Sequence, residues 1–199
     1  MPDRTPVALI FDMDGTLADT MPAHYIAWRE ITDAHGLDFP EQRFYALGGV
    51  PSVRILEMLI RESGQTGLDP RVLAAAKEQA FERHLDAIRP HRSVVAIAQR
   101  GRDAGLPMAV ATGGYRKVAE PLLQQLGIHE WFGAVVTADD TDLHKPDPAP
   151  FLLAAERLGV DPAGCDAYED TDLGMQAIAA AGMRGIDVRP LVAAASISS

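Results

Sequence analysis

Only one cysteine, Cys165, occurs in the 199 residues, so no disulfide can close within the chain. That usage fits a reducing compartment. Cys165 stands just before an apolar run with no histidine near it in sequence, and a small packed side chain is expected there rather than a nucleophile. Basic residues are also scarce. Eighteen Lys and Arg stand against 28 Asp and Glu, a formal net charge of −10. An acidic surface repels phosphate backbones and anionic lipid, which argues against nucleic acid or a membrane as the main partner. An anionic ligand would need positive charge supplied by its own site. No apolar run approaches the roughly 20 residues that cross a bilayer. The opening MPDRTP lacks the basic and apolar regions of a signal peptide. The expectation is a soluble cytoplasmic protein, and a monomer, since nothing in the sequence demands a second copy.

What is present is an ordinary globular balance, with 47% hydrophobic and 23% charged residues. The length suits one domain or one domain with an insertion. Short apolar runs at 7–11 (VALIF), 108–112 (MAVAT), 134–137 (AVVT) and 166–168 (DAY), with a weaker one at 184–188 (RGIDV), read as strands. They lack polar alternation, as strands buried on both faces do. The segments between the later runs carry helical patterns that end in glycine, the residue favoured just past a helix C-terminus. Strands alternating with such helices predict an α/β fold: a Rossmann-like parallel sheet with helices on both faces. Residues 19–90 break the rhythm with three helical patterns and no strand. In the first, Asp19 or Thr20 would cap, Pro22 would sit in the first turn, and Ala27, Ile31 and Ala34 would share an apolar face. In the second, Ser52 would cap a helix carrying Leu56, Leu59 and Ile60. The division expected is a core of 1–18 with 91–199 and an all-helical cap of 19–90. The tail LVAAASISS reads as frayed.

Ligands of open parallel sheets bind beyond the carboxyl ends of the strands. Asp12, Thr112 and the pair Glu169–Asp170 fall at such ends, and Lys145 follows the third strand by a loop. Asp12 and Asp14, two apart on a strand, would face the same way. Two unit charges about 4 Å apart cost roughly 4 kcal/mol at an effective dielectric of 20. Either one carboxyl holds a proton or a cation sits among them. Oxygen-only ligands favour a hard ion such as Mg²⁺, which keeps waters and shares itself with substrate phosphate. A calcium loop is excluded because Thr16 follows Gly15 and no Glu follows at the required distance.

DMDGT after an apolar strand, Thr112 ending a second, Lys145 in KPDP and EDTDLGMQA after a later strand resemble, as an ordered set, the haloacid dehalogenase superfamily. The 19–90 insertion resembles the cap of its β-phosphoglucomutase and sugar-phosphatase branch. FDMDGTLADT, His24, GGVPSVR and YEDTDLGMQAIAAAGM are most like the bacterial fructose-1-phosphate phosphatases. The resemblance implies a nucleophile at Asp12 that forms an aspartyl-phosphate. It implies an acid and base at Asp14, whose backbone carbonyl also ligates metal, and a counter-charge at Lys145. Thr112, Gly113 and Gly114 would bind phosphate oxygens. Asp12, Asp14, Asp170 and Glu169 would form the metal site, with Asp170 ligating directly and Glu169 through water or from behind. In the cap, His24, Gly49, Arg54 and Lys77 would read the sugar, although Lys77 lies in an exposed-looking AAAKEQ. The acidic run 139–142 reads as a solvated loop.

The implied function is Mg²⁺-dependent hydrolysis of a small sugar phosphate, of the fructose 1-phosphate or 6-phosphogluconate type. The mutase alternative passes the phosphoryl group to a sugar hydroxyl instead of water. That branch has Ser then Lys where this chain has Gly114 and Tyr115, which weakens the grip on a second phosphate, although Arg116 or Lys117 offers a substitute. A non-catalytic phosphate or metal sensor would need neither Asp14 nor a lid. Dehalogenases of the superfamily lack the second motif aspartate. The cap is expected to close over the core about hinges near 17–20 and 88–92.

Overall fold

The computed structural model describes residues 5–197, so the first four residues of MPDRTP and the last two of the tail lie outside the described residues. The first apolar run forms β1 (Ala8–Phe11), with all four residues buried. Four helices follow: α1 (Met21–Ala34), α2 (Glu41–Ala46), α3 (Ser52–Ser63) and α4 (Pro70–Glu82). Helices and strands then alternate as α5 (Arg92–Asp103), β2 (Met108–Ala111), α6 (Arg116–Gln125), β3 (Ala134–Val136), α7 (Ala149–Leu158), β4 (Cys165–Glu169), α8 (Asp172–Ala180), β5 (Arg184–Asp187) and α9 (Arg189–Ile197). The chain divides into two compact units. One joins the stretch up to Asp19 with the stretch from Arg89 onward, and the other is Thr20–Ile88.

In the first unit the five strands are parallel in the order β3-β2-β1-β4-β5. Ile10 stands opposite both Ala109 and Ala167, so β1 lies at the centre. Parallel pairing brings every strand's carboxyl end to one edge, the place where ligands of such sheets bind. Alternate residues serve opposite faces. Ala8, Ile10, Ala109 and Ala111 pack with Phe151 and Ala154 of α7 and Ile178 of α8. On the other face Leu9 lies against Gly101 of α5, where an added Cβ would meet its side chain. Burial of each larger side chain contributes about 1.5–3 kcal/mol. Cys165 opens β4 instead of preceding it, and its buried Sγ donates weakly to the Asp161 carbonyl. The tail expected to fray forms α9 through Ile197, where Leu191 N and Val192 N donate to the Val188 carbonyl.

The second unit holds four helices, not three. The extra one, α2, spans six residues behind Pro40, too short for helical periodicity to declare itself, and is anchored by buried Phe44. Its core gathers Trp28, Phe39, Phe44, Leu56, Leu59 and Leu73. The buried face of α1 is Ala23, Ala27, Trp28 and Thr32. Ala34 is exposed and Ile31 half-buried, because the large Trp28 ring sets the face. Pro22 lies in the first turn as expected, but Thr20 makes no capping hydrogen bond. Ser52 is the first residue of α3 and not its cap. Its hydroxyl donates to Glu78 at 3.3 Å.

Candidate active site

β1 ends at Phe11, so Asp12 and Asp14 are not two positions on one strand. Asp12 remains tied to the sheet by its N–H, which donates to the Tyr168 carbonyl. The chain then turns tightly, with Leu17 N and Ala18 N both donating to the Met13 carbonyl. The turn carries Asp14 to where its Oδ2 accepts from the Thr112 hydroxyl at 3.3 Å. Gly15 sits at φ 80°, a backbone that side chains avoid, and any Cβ there would collide with the Asp170 carboxylate.

Lys145 reaches into this group from the loop after β3. Its Nζ donates to Asp12 Oδ1 and, at 2.9 Å, to Glu169 Oε1. Glu169 closes β4 and is 1% exposed. Thr171 N donates to its Oε2 at 2.6 Å, and the Thr171 hydroxyl approaches both oxygens. Gly174 leaves room for this carboxylate, which a Cβ would overlap. Asp170 accepts from the Thr16 hydroxyl at 2.9 Å. Ligand oxygens of Asp12, Glu169 and Asp170 all lie within 4.8 Å of one another. One lysine therefore faces three carboxylates, and an all-oxygen donor set of this kind fits a hard divalent cation.

The local electrostatics show the same imbalance. Burial pushes the Asp12 carboxyl well above its ordinary range; Lys145 opposes this, and Glu169, Asp170 and Asp14 add to it. Burial and then the charge of Glu169 raise Asp170 to about 7. Burial works against the Lys145 charge, but Asp12 and Glu169 outweigh it and hold the ammonium protonated above the usual lysine range. A carboxyl raised on folding binds its proton in the folded state while the unfolded chain has lost it, so its contribution to stability falls as pH rises from about 4 to about 7. Metal-free protein should therefore melt at a lower temperature at about pH 8 than at about pH 5. Added Mg²⁺ should raise the melting temperature more at the higher pH. A metal effect equal at both values in scanning calorimetry would remove Asp170 from the ligand set.

Thr112 follows β2 and is held by its N–H on the Val136 carbonyl. Its Oγ1 accepts from Gly114 N at 3.0 Å and donates to Asp14. The Gly114 amide, expected to face phosphate, is thus engaged within the turn. A Cβ on Gly113 would meet nothing within 4 Å.

The cap candidates belong to the second unit. His24 stacks on Phe81 with ring centroids 3.7 Å apart. Lys77 is buried, contrary to its exposed-looking sequence. Its Nζ lies 2.9 Å from His24 Nδ1, 3.1 Å from Glu78 Oε1, and over the rings of Trp28 and Phe81. An ammonium at Lys77 only donates, so this contact calls for His24 Nδ1 as acceptor. Arg54 is exposed beside Glu57 at 3.2 Å. Gly49 has φ 82°, a conformation that requires glycine at the entry to α3.

Thr16, Thr171 and Gly174 orient the acidic group but were not singled out from the sequence. Thr171 is a helix N-cap, its Oγ1 accepting from Gly174 N, and a capping signature before DLGMQA would have found it. The 139–142 stretch is not simply solvated, because Asp140 is held by Arg116, Arg157 and Thr137. Arg116, considered as a grip for a second phosphate, is engaged by Asp140 and Glu120.

Residues 7–182 match the haloacid dehalogenase-like hydrolase family. The chain is 47% identical over 185 residues to the fructose-1-phosphate phosphatase YqaB of Escherichia coli, covering 92% of this chain and 96% of that protein. It is 29% identical to the β-phosphoglucomutase of Bacillus subtilis, covering 91% of this chain and 82% of that protein. Among solved structures, CbbY from Rhodobacter sphaeroides in complex with phosphate superposes with a TM-score of 0.79 at 27% identity, over 92% of this chain and 86% of that one.

Proposed function

The chain belongs to the haloacid dehalogenase-like hydrolases, and from that premise we propose that it is a phosphatase hydrolysing a small sugar phosphate of the fructose 1-phosphate or 6-phosphogluconate type. It acts as a monomer in the cytoplasm, with residues 1–18 and 91–199 as catalytic core and 19–90 as a cap that closes over the sugar. The observation that carries this is the gathering of Asp12, Asp14, Lys145 and Asp170, from three separate stretches of sequence, around one cluster of carboxylates.

An Asp12 oxygen attacks phosphorus while the bond to the sugar oxygen breaks. Asp14 delivers a proton to that oxygen, and an aspartyl-phosphate remains. Asp14, now ionised, takes a proton from water as its oxygen attacks phosphorus. The Asp12–phosphate bond breaks, inorganic phosphate leaves and both carboxyl groups return to their starting states. Lys145 offsets negative charge on Asp12 and the transferring group. Thr112 orients Asp14, and Thr16 and Thr171 hold Asp170 and Glu169 in place. Asp12, Asp170 and the Asp14 carbonyl would hold Mg²⁺, with Glu169 behind them. That ion would supply positive charge to the phosphoryl oxygens. Water is favoured over a sugar hydroxyl as acceptor because Gly114 and Tyr115 stand where the mutase branch has Ser and Lys, and of the two substitutes, Arg116 and Lys117, Arg116 is already committed to carboxylates.

The test is free-phosphate release over a panel of sugar phosphates, with Mg²⁺ and with chelator. Release that persists in chelator, or isomerisation of β-glucose 1-phosphate without release, rejects the proposal. Lys77→Met keeps the volume of a buried side chain but removes its charge. It should lower kcat/KM for the preferred sugar phosphate by roughly 10–100-fold and for p-nitrophenyl phosphate far less, with Arg54→Ala shifting both in the same direction by less. Equal losses on the two esters would show that the cap does not read the sugar.

A further inference from the structure

Asp140 takes no part in the chemistry above, yet it is gripped from three directions. Its Oδ2 accepts from Thr137 N and Thr137 Oγ1, both at 2.8 Å, and from Arg116 Nη2 at 2.5 Å. Its Oδ1 accepts from Arg157 Nη2 at 2.6 Å. The side chain is only 12% exposed. Partial burial opposes ionisation, but hydrogen bonds from Arg157 and Thr137 and the charge of Arg116 hold the carboxyl down to about 2. It is therefore a fixed negative charge in any ordinary buffer. The donors come from three places in the fold. Thr137 follows β3, Arg116 opens α6 and Arg157 lies in the last turn of α7.

Of the two arginines, Arg116 is continuous with the turn that begins at Thr112. That turn contains two adjacent glycines; inside it Gly114 N donates to Thr112 Oγ1, and further restraint comes from outside. Ala138 N donates to the Gly114 carbonyl at 2.9 Å, Arg116 N donates to Asp139 Oδ2 at 2.7 Å, and the Arg116 guanidinium ends on Asp140. The same turn sets the Thr112 hydroxyl, which points at Asp14. A glycine pair left free would sample many conformations, and ordering it on binding would weaken capture of phosphate.

We propose that Asp140 is a positioning residue for phosphate capture, acting through Arg116 to hold the Thr112–Tyr115 turn in place. It does not touch the substrate. The proposal rests on the phosphatase reading but is independent of which sugar is cleaved. Asparagine at this position would turn an NH₂ group toward donors and break the clamp without changing its size.

The test uses the full chain with Mg²⁺ and p-nitrophenyl phosphate, with inorganic phosphate as competitive inhibitor, in wild type, Asp140→Asn, Arg116→Gln and Arg157→Gln. Asp140→Asn and Arg116→Gln should each raise the inhibition constant for phosphate and KM roughly tenfold, with a smaller effect on kcat. A double variant carrying both Asp140→Asn and Arg116→Gln should be no worse than Asp140→Asn alone, as expected of one pathway. Arg157→Gln removes an ion pair from the same carboxylate but has no continuity with the turn. It should lower the melting temperature and leave both constants within about twofold. An unchanged phosphate constant in folded Asp140→Asn overturns the inference, as does Arg157→Gln matching Arg116→Gln. If Asp140→Asn does not fold, the comparison of the two arginine variants decides alone. A wild-type protein that cleaves neither this ester nor any sugar phosphate of the panel overturns the phosphatase reading before any variant is made.

Discussion

Asp12→Asn should abolish turnover, by roughly 10³–10⁶-fold, while leaving the protein folded. An amide oxygen is a poor nucleophile and cannot carry the phosphoryl group as a mixed anhydride that water then opens. Folding should not suffer, because Asp12 is one of three mutually repelling carboxylates, and burial with Glu169, Asp170 and Asp14 already pushes it toward its neutral form. Replacing it with a neutral group relieves that repulsion, and Lys145 keeps Glu169 as a partner at 2.9 Å. In metal-free buffer the variant should melt no lower than wild type. Acid quench of wild type during turnover of a phosphorus-labelled substrate should trap label on protein at Asp12, and the variant should trap none. Substantial turnover by the variant, or label on another residue, would remove Asp12 from the proposed role.

The core was legible in the sequence for a physical reason. A strand buried on both faces must be apolar along its whole length, so a carboxylate or threonine that stops such a run marks the sheet edge where polar groups can be tolerated. Phe11 followed by Asp12, and Ala111 followed by Thr112, are instances. The cap was less legible because its signals are weaker or depend on tertiary contacts. Six-residue α2 is too short to show a period. The face of α1 is legible only in part: Ala27 is buried and Ile31 packs against the core of the second unit, but Ala34 is exposed, because Trp28 decides which side is inward. Lys77 did carry a readable sign. It shares the spacing of Leu73, Ala74, Ala80 and Phe81, the buried face of α4, but its charge argues for exposure, and only the tertiary contacts with His24, Glu78 and two aromatic rings account for its burial. The Arg116–Asp140–Arg157 clamp joins residues 17 to 24 positions apart, and no local pattern encodes it. The turn that brings Asp14 to Thr112 was likewise hidden, since a strand extended through Asp14 predicts much the same neighbours from sequence alone.

Asp14→Asn should separate the two halves of the reaction. Asparagine can still accept from Thr112 Oγ1, so the 3.3 Å contact and the local turn should persist. What disappears is the proton that must reach the departing sugar oxygen and, later, the base that must take a proton from water. With a sugar phosphate the first step itself fails, and kcat/KM should fall by roughly 10²–10⁴-fold. p-Nitrophenolate leaves without needing a proton, so with that ester the first step should survive. The variant should release about one equivalent of nitrophenolate per active site and then stall, because hydrolysis of the aspartyl-phosphate lacks its base. Rapid-mixing absorbance would show the burst, and its size would count active sites. Steady turnover of p-nitrophenyl phosphate at the wild-type rate would mean that another group activates water. No burst, with equal loss on both esters, would place Asp14 in binding or metal retention instead of proton transfer. The proton role therefore turns on the leaving group: a carboxyl that serves chemistry produces a burst with the ester whose leaving group needs no acid, whereas a carboxyl that serves structure does not.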